Sequence, residues 1–406
     1  MNKDTPRKFS TTPGTRDILP PESTRLLDVQ ARVLERFRLH GFREVITPAL
    51  EYSEVVEEPK LRDASFKLFD PDNQMLLLRP EMTTPIARLV AQRLQGSPPP
   101  HKLSYSLPVY RRASVGRGQS AEFHQAGVEV VGSTSPGEDA GAIALLVDSL
   151  ESVGLGDFVV VLGQTGFYEG YLRHKAPGDA SELLAALAAK DLVRVDEISA
   201  GVQADGVREI PRLVGPATDG SILERAALYA EGSAGAALEN LKEILAHLDA
   251  CGSLGSVMLD LGLIGRHNYY TGAVYEVYAA GLGFTVANGG RYDNLLRRFG
   301  EPLAATGFAI SLERLISVLP DDEPSPLLVL VGDSVDGTRI AADLRSSGVP
   351  VLRLAADLSP ETATEYARSV DANWVGYPAS GGLKLARPGG EFELIPVAAV
   401  PGKVLP

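Results

Sequence analysis

The sequence has 406 residues, 44% of them hydrophobic, and a formal net charge of −13, so it has room for two or three domains with full cores. One cysteine excludes an intrachain disulfide, and six histidines without cysteine partners give no metal-ligand spacing. No apolar run approaches a membrane span, the N-terminus is polar and charged where a signal peptide is apolar, and the acidic balance argues against a large nucleic-acid surface. The expected location is the cytoplasm.

Residues 14–21 are turn-rich and lead to Ser23, which reads as the N-cap of a helix whose apolar residues Leu26, Leu27, Val33, Leu34 and Phe37 recur at helical spacing. Gly41 ends it, and residues 42–47 read as a short strand stopped by Pro48, which favours a sheet edge or an interface. Burying the apolar helix face of residues 23–48 against a second copy predicts a homodimer. Residues 75–78 read as a strand that delivers Glu81 and Thr83 to a loop, before a helix with Thr84 as cap and Pro85 at its first position. A carboxylate in that place serves a ligand or a helix cap equally well.

Residues 103–112 and 122–131 read as two strands joined by a glycine-rich turn, residues 114–120. Arg111 closes the first on its more apolar face and calls for an anionic partner. On the second, the period of two puts Phe123, Gln125, Gly127, Glu129 and Val131 on one face. An aromatic, an amide, a gap at Gly127 and a carboxylate suit the floor of a pocket for a small ligand with N–H donors, or equally an edge hairpin with a solvated polar face.

A helix over 137–152 and a strand over 158–162 follow; then an Ala- and Leu-rich stretch, about 178–253, reads as a helical insertion. Strand patterns resume at 257–261, 269–278 and 283–288, where alternation sends the adjacent Tyr269 and Tyr270 to opposite faces. The run from Asn288 to Asp293, with Gly289 and Gly290, lets backbone approach a ligand or a neighbouring strand. Residues 307–315 run from strand to helix with Arg314 in its first turns. The proline-containing acidic run 321–326 is the best boundary, dividing the chain into 1–322 and 323–406. Beyond it, strands at 327–331, 349–354 and 374–377 alternate with helices at 337–347 and 360–370, a small α/β domain.

Taken in order, the helix, strand and Pro48, the Arg111 strand with its loop and the Phe123 return, and the 307–314 segment resemble the three motifs of class II aminoacyl-tRNA synthetases. The stretches around Tyr269, Tyr270 and Thr271 and around Gly289 to Asp293 resemble those that distinguish the histidyl-tRNA synthetases. That resemblance implies an α+β fold, an antiparallel sheet flanked by helices with a helical insertion and a small C-terminal α/β domain. It also implies that Glu81, Thr83 and Gln125 hold the amino group of a bound histidine, Glu129 and Tyr270 its imidazole, and that Tyr269 helps close the pocket.

The nucleotide and carboxylate side departs from the synthetase pattern. Arg111, Phe123 and Arg314 remain, but Ala113 stands where a carboxylate reads adenine, Gln119 where a basic residue meets the terminal phosphates, and Gly265 where an arginine serves adenylation, with Arg266 one place along. A one-residue bulge would return that guanidinium. Without these cations the rate of adenylation should fall by several powers of ten. An intact amino-acid site beside an impaired adenylation site resembles the family of ATP phosphoribosyltransferase regulatory subunits. Membership implies no catalytic residues, metal or cofactor of its own, no tRNA, a short-form ATP phosphoribosyltransferase catalytic subunit as partner, and free histidine as effector. An authentic histidyl-tRNA synthetase is the alternative, with a histidine-binding protein of another pathway behind it.

Overall fold

The computed structural model describes residues 10–56, 58–112, 120–265, 269–320 and 326–405. Among them, those of 10–17 with 26–320 form one compact unit and those of 18–25 with 326–405 a second. The acidic run at 321–325 and most of the glycine-rich turn, with Ala113 and Gln119, lie outside the described residues.

The first unit contains strands β1 (Arg43–Glu44), β2 (Leu50–Tyr52), β3 (Lys67–Phe69), β4 (Met75–Leu78), β5 (His101–Tyr110), β6 (Glu122–Val131), β7 (Phe158–Gln164), β8 (Val214–Pro216), β9 (Val257–Asp260), β10 (Ala273–Ala279), β11 (Ala287–Arg291) and β12 (Ala305–Ser311). Nine of these form one sheet in the order β1-β5-β6-β12-β11-β10-β7-β9-β8. It is antiparallel from β5 to β7 and parallel at β1–β5 and β7–β9. One face of β6 carries Ala126, Val128 and Val130, all buried, and the other carries Gln125, Gly127 and Glu129. The apolar row packs and the polar row lines a cavity.

The helix Glu22–Leu39 buries Leu26, Val29, Val33 and Phe37, and Phe37 meets Phe308 of β12 edge-on at 5.7 Å. Ser23 lies inside its first turn instead of capping it, and Leu27, one residue off this stripe, is exposed. The expected strand at 42–47 shrinks to β1, with one more bond from the Val45 N–H to the Ser104 carbonyl at 2.9 Å; farther on, the carbonyls of Thr47 and Pro48 accept from the Arg79 guanidinium at 2.7 and 3.2 Å. The helix after β4 runs Thr83–Arg93 and is not capped by Thr84; that residue's N–H donates to both oxygens of Glu81, at 3.0 and 3.2 Å.

In the insertion, the helix Ser233–Ala250 buries Leu238, Leu241, Leu245 and Leu248 as its spacing requires. It is not wholly helical, since β8 joins the edge of the main sheet on β9. β10 starts only at Ala273, so Tyr269 and Tyr270 precede it and strand alternation does not govern them; their ring centroids lie 4.9 Å apart. The next strand falls at β11, later than the 283–288 pattern suggests. A side chain at Gly289 would strike the Gly307 carbonyl and the Tyr275 ring, so this glycine serves packing between strands.

The second unit has β13 (Leu328–Val331), β14 (Val351–Leu354), β15 (Trp374–Ala379), β16 (Gly382–Ala386) and β17 (Glu393–Ile395) in the order β14-β13-β15-β16-β17, with helices Val335–Ser346 and Pro360–Ser369. Every residue of β13 is buried, Leu328 and Leu330 in one cluster and Val329 and Val331 in another, as a parallel strand covered on both faces must be. The antiparallel β16 and β17 extend the sheet beyond the sequence-predicted elements. Among the described residues no helix is long and apolar enough to cross a membrane.

Candidate functional site

A cavity of about 260 Å³ opens on the polar face of β6. Glu81, Thr83, Gln125, Glu129, Tyr269 and Tyr270 all line it, together with Arg111, Phe123 and Arg314; Arg266 lies outside the described residues.

Glu129 sits across from Leu103 on one side and Gly307 on the other, and a side chain at Gly307 would overlap its carboxylate. Only 1% exposed, it accepts a hydrogen bond from Thr83 Oγ1 at 2.9 Å and another from the Tyr292 phenol. Burial pushes its pKa up to about 8 against the pull of these two donors, and the nearby Glu81 charge adds to the rise. The carboxyl therefore holds its proton at neutral pH. Thr83 is committed to Glu129, and Glu81 to the start of the helix Thr83–Arg93.

The gap at Gly127 is not open floor. Across from it in the ladder stands Tyr105, whose ring fills the place a side chain would occupy, next to the Phe308 carbonyl. Tyr105 is fully buried and Gln125 nearly so, and neither the Tyr105 hydroxyl nor the Gln125 Oε1 has a hydrogen-bond partner among the described residues. The Nε of Arg111 donates to the Pro80 carbonyl at 2.7 Å, and its guanidinium lies 5.4 Å from the Phe123 ring centre. Burial lowers its pKa and the Glu81 charge opposes that. Arg314 donates to the Thr285 carbonyl at 2.9 Å and stacks over Phe284.

A family model for histidyl-tRNA synthetases matches residues 14–315. The ATP phosphoribosyltransferase regulatory subunit of Rubrobacter xylanophilus is 71% identical over 412 residues, covering all of both chains. The chain belongs to the family of ATP phosphoribosyltransferase regulatory subunits. An ATP phosphoribosyltransferase regulatory subunit/histidyl-tRNA synthetase from Bacillus halodurans C has a similar structure, with a TM-score of 0.82 at 29% identity over 92% of this chain and 99% of that one. The histidyl-tRNA synthetase of Nostoc sp. PCC 7120 shares the fold, with a TM-score of 0.82 at 22% identity over 98% of each chain. The fold is thus the class II synthetase-like one expected from the sequence.

In this regulatory-subunit family member, Gly265 lies against the Tyr270 ring. A Cβ there would come within 2.9 Å of Cε2 and 3.0 Å of Cγ, and closer still to Cδ2. No side chain fits at residue 265 while Tyr270 keeps its place, and the Tyr270 hydroxyl is held by Asn288 and Tyr269. Sequence reasoning missed Tyr105, Tyr292 and Asn288. Tyr292 had a signal: it follows Arg291 in the Gly289–Asp293 stretch, where neighbours on an extended chain face opposite ways. Arg291 indeed turns from the cavity, its Nε donating to Asp139 Oδ2 at 2.9 Å and its Nη1 to the Ser133 carbonyl at 2.9 Å.

Proposed function

We propose that this chain is the regulatory half of an ATP phosphoribosyltransferase, in the first step of histidine biosynthesis. In this reading it assembles in the cytoplasm with a short-form catalytic subunit, holds free histidine in the cavity as the feedback signal, and performs no aminoacylation. The observation that carries this is Gly265 against the Tyr270 ring: in the synthetase pattern this position holds the arginine that serves adenylation, and here no side chain fits while Tyr270 keeps its place. Gln125 and Glu81 serve the ligand's ammonium group as acceptors, Glu129 in its protonated form and Tyr270 serve the imidazole by hydrogen bonding, and the Arg111 guanidinium serves the carboxylate.

The apolar helix face of residues 23–48 cannot be the dimer surface expected of it, because Leu26, Val29, Val33 and Phe37 are buried within the chain itself, Phe37 against Phe308; the surface we propose for a homodimer is instead the three-stranded sheet β2-β4-β3. Its register puts Leu50, Tyr52, Leu68, Leu76 and Leu78 on one face, and the first three are 45%, 53% and 41% exposed. An apolar sheet face of this kind is stabilised by a second copy. We place the functional division of the chain at 322/323, with the second unit bearing no tRNA.

The test is reconstitution. With a short-form catalytic subunit the chain should yield phosphoribosyltransferase activity that histidine inhibits, while alone with histidine and ATP it should exchange no pyrophosphate. Replacing Glu129 by alanine should weaken histidine binding about tenfold to a hundredfold by calorimetry, through loss of a buried hydrogen-bond partner. Pyrophosphate exchange at synthetase rates would identify an active synthetase instead.

A further inference from the structure

Buried polar atoms in a native cavity are paired with the protein, or they await something that pairs with them. Around this cavity most are paired internally: both oxygens of Glu129 are taken by Thr83 and Tyr292, those of Glu81 by the Thr84 amide, and the Tyr270 hydroxyl by Asn288 and Tyr269. The Tyr105 hydroxyl is an exception among the described residues. A phenylalanine would fill the same volume opposite Gly127 without burying an unpaired hydroxyl, so packing alone does not account for a tyrosine.

The surroundings indicate what the hydroxyl meets. Burial and the nearby Glu129, Glu81, Tyr270 and Tyr275 together raise the pKa of Tyr105 well above its ordinary value, so it stays a neutral hydroxyl, able both to donate and to accept. That dual capacity suits a ring nitrogen in either tautomer of an imidazole.

We propose that Tyr105 is a specificity-determining contact of the cavity, its hydroxyl pairing with a ring nitrogen of the bound amino acid, so that an imidazole is selected over an apolar ring of the same size. The inference rests on the reading of the cavity as a histidine site. Calorimetric titration of the full chain and of Tyr105→Phe, each with L-histidine and with β-(2-thienyl)alanine, tests it. The variant should lose about tenfold to a hundredfold in affinity for histidine and nothing for the thienyl analogue, and unliganded it should melt no lower than the wild type. Histidine affinity within about twofold of wild type, a parallel loss for both ligands, or a lowered melting temperature of the unliganded variant would each overturn the assignment. If the wild type itself binds no histidine, the histidine reading and this inference fall together; if the wild type binds and the variant binds equally, only the inference falls.

Discussion

Replacing Glu129 by glutamine keeps the shape of the cavity and removes its titration. The native carboxyl, 1% exposed, has its pKa pushed by burial from the ordinary 4.5 up to about 8, so between these values the folded chain holds a proton that the unfolded chain has released. A pKa raised on folding contributes stability that is fully present below the unfolded value and is lost as pH rises through the folded one. At about 1.4 kcal/mol per unit, the wild type should lose about 3–5 kcal/mol through this residue as pH rises from about 4.5 to 8, and no more beyond it. Glutamine has no such proton, so the stability of wild type minus that of Glu129→Gln isolates this dependence from every other titrating group. Urea unfolding of both chains at several pH values across this interval measures it. A difference that stays constant with pH would mean that Glu129 is already ionised in the folded chain, and the account of the cavity's electrostatics would be wrong.

Two further substitutions separate the roles of neighbouring residues. Gly265→Arg forces the Tyr270 ring from its seat and should cost about 1–3 kcal/mol of stability by overpacking, measured by chemical denaturation, without creating pyrophosphate exchange, since Ala113 and Gln119 remain as they are; robust exchange in this variant would show that residue 265 alone separates the chain from a synthetase. Asp139→Ala takes the fully buried carboxylate from the Arg291 guanidinium, whose side chain is 7% exposed, and leaves it the Ser133 and Ser135 carbonyls and Asp293 at 3.4 Å. It should cost about 3–5 kcal/mol, and a loss below about 1 kcal/mol in the same unfolding assay would mean that these remaining partners satisfy Arg291.

Much of the fold was legible because its strands are long and patterned. β6 was read over its full extent, since ten residues alternate between an apolar and a polar row. The failures follow from applying the same period where no strand exists. The period of two sends Tyr269 and Tyr270 to opposite faces, but the strand begins at Ala273, and on the irregular backbone before it the two rings pack together. β17 is too short, at three residues, to show a pattern, and β16 lies beyond the expected elements without a bounded apolar run to mark it. Beyond β1 the Thr47 and Pro48 carbonyls go to Arg79, which lies some thirty residues later in the chain, a pairing that no local pattern announces.

The site was legible as a place more than as a set of contacts. Polar residues in alternation on an interior strand face must be satisfied, which is enough to locate a cavity, but the sequence does not say whether a ligand or the protein satisfies them. The resemblance gives Thr83 and Glu81 to a ligand, and the residues alone leave Glu81 equally open to a helix cap; in the fold Thr83 donates to Glu129, and Glu81 accepts from the Thr84 amide as a capping carboxylate does. Tyr105 alternates with Arg111 on the more apolar face of its strand, yet its hydroxyl is left unpaired among the described residues. The partners of Glu129 lie on the helix Thr83–Arg93 and just after β11, joined to it only by the fold. What points to a ligand is therefore the polar atom the fold leaves over after its own hydrogen bonds are made, and that remainder exists only once every distant partner has been brought into place.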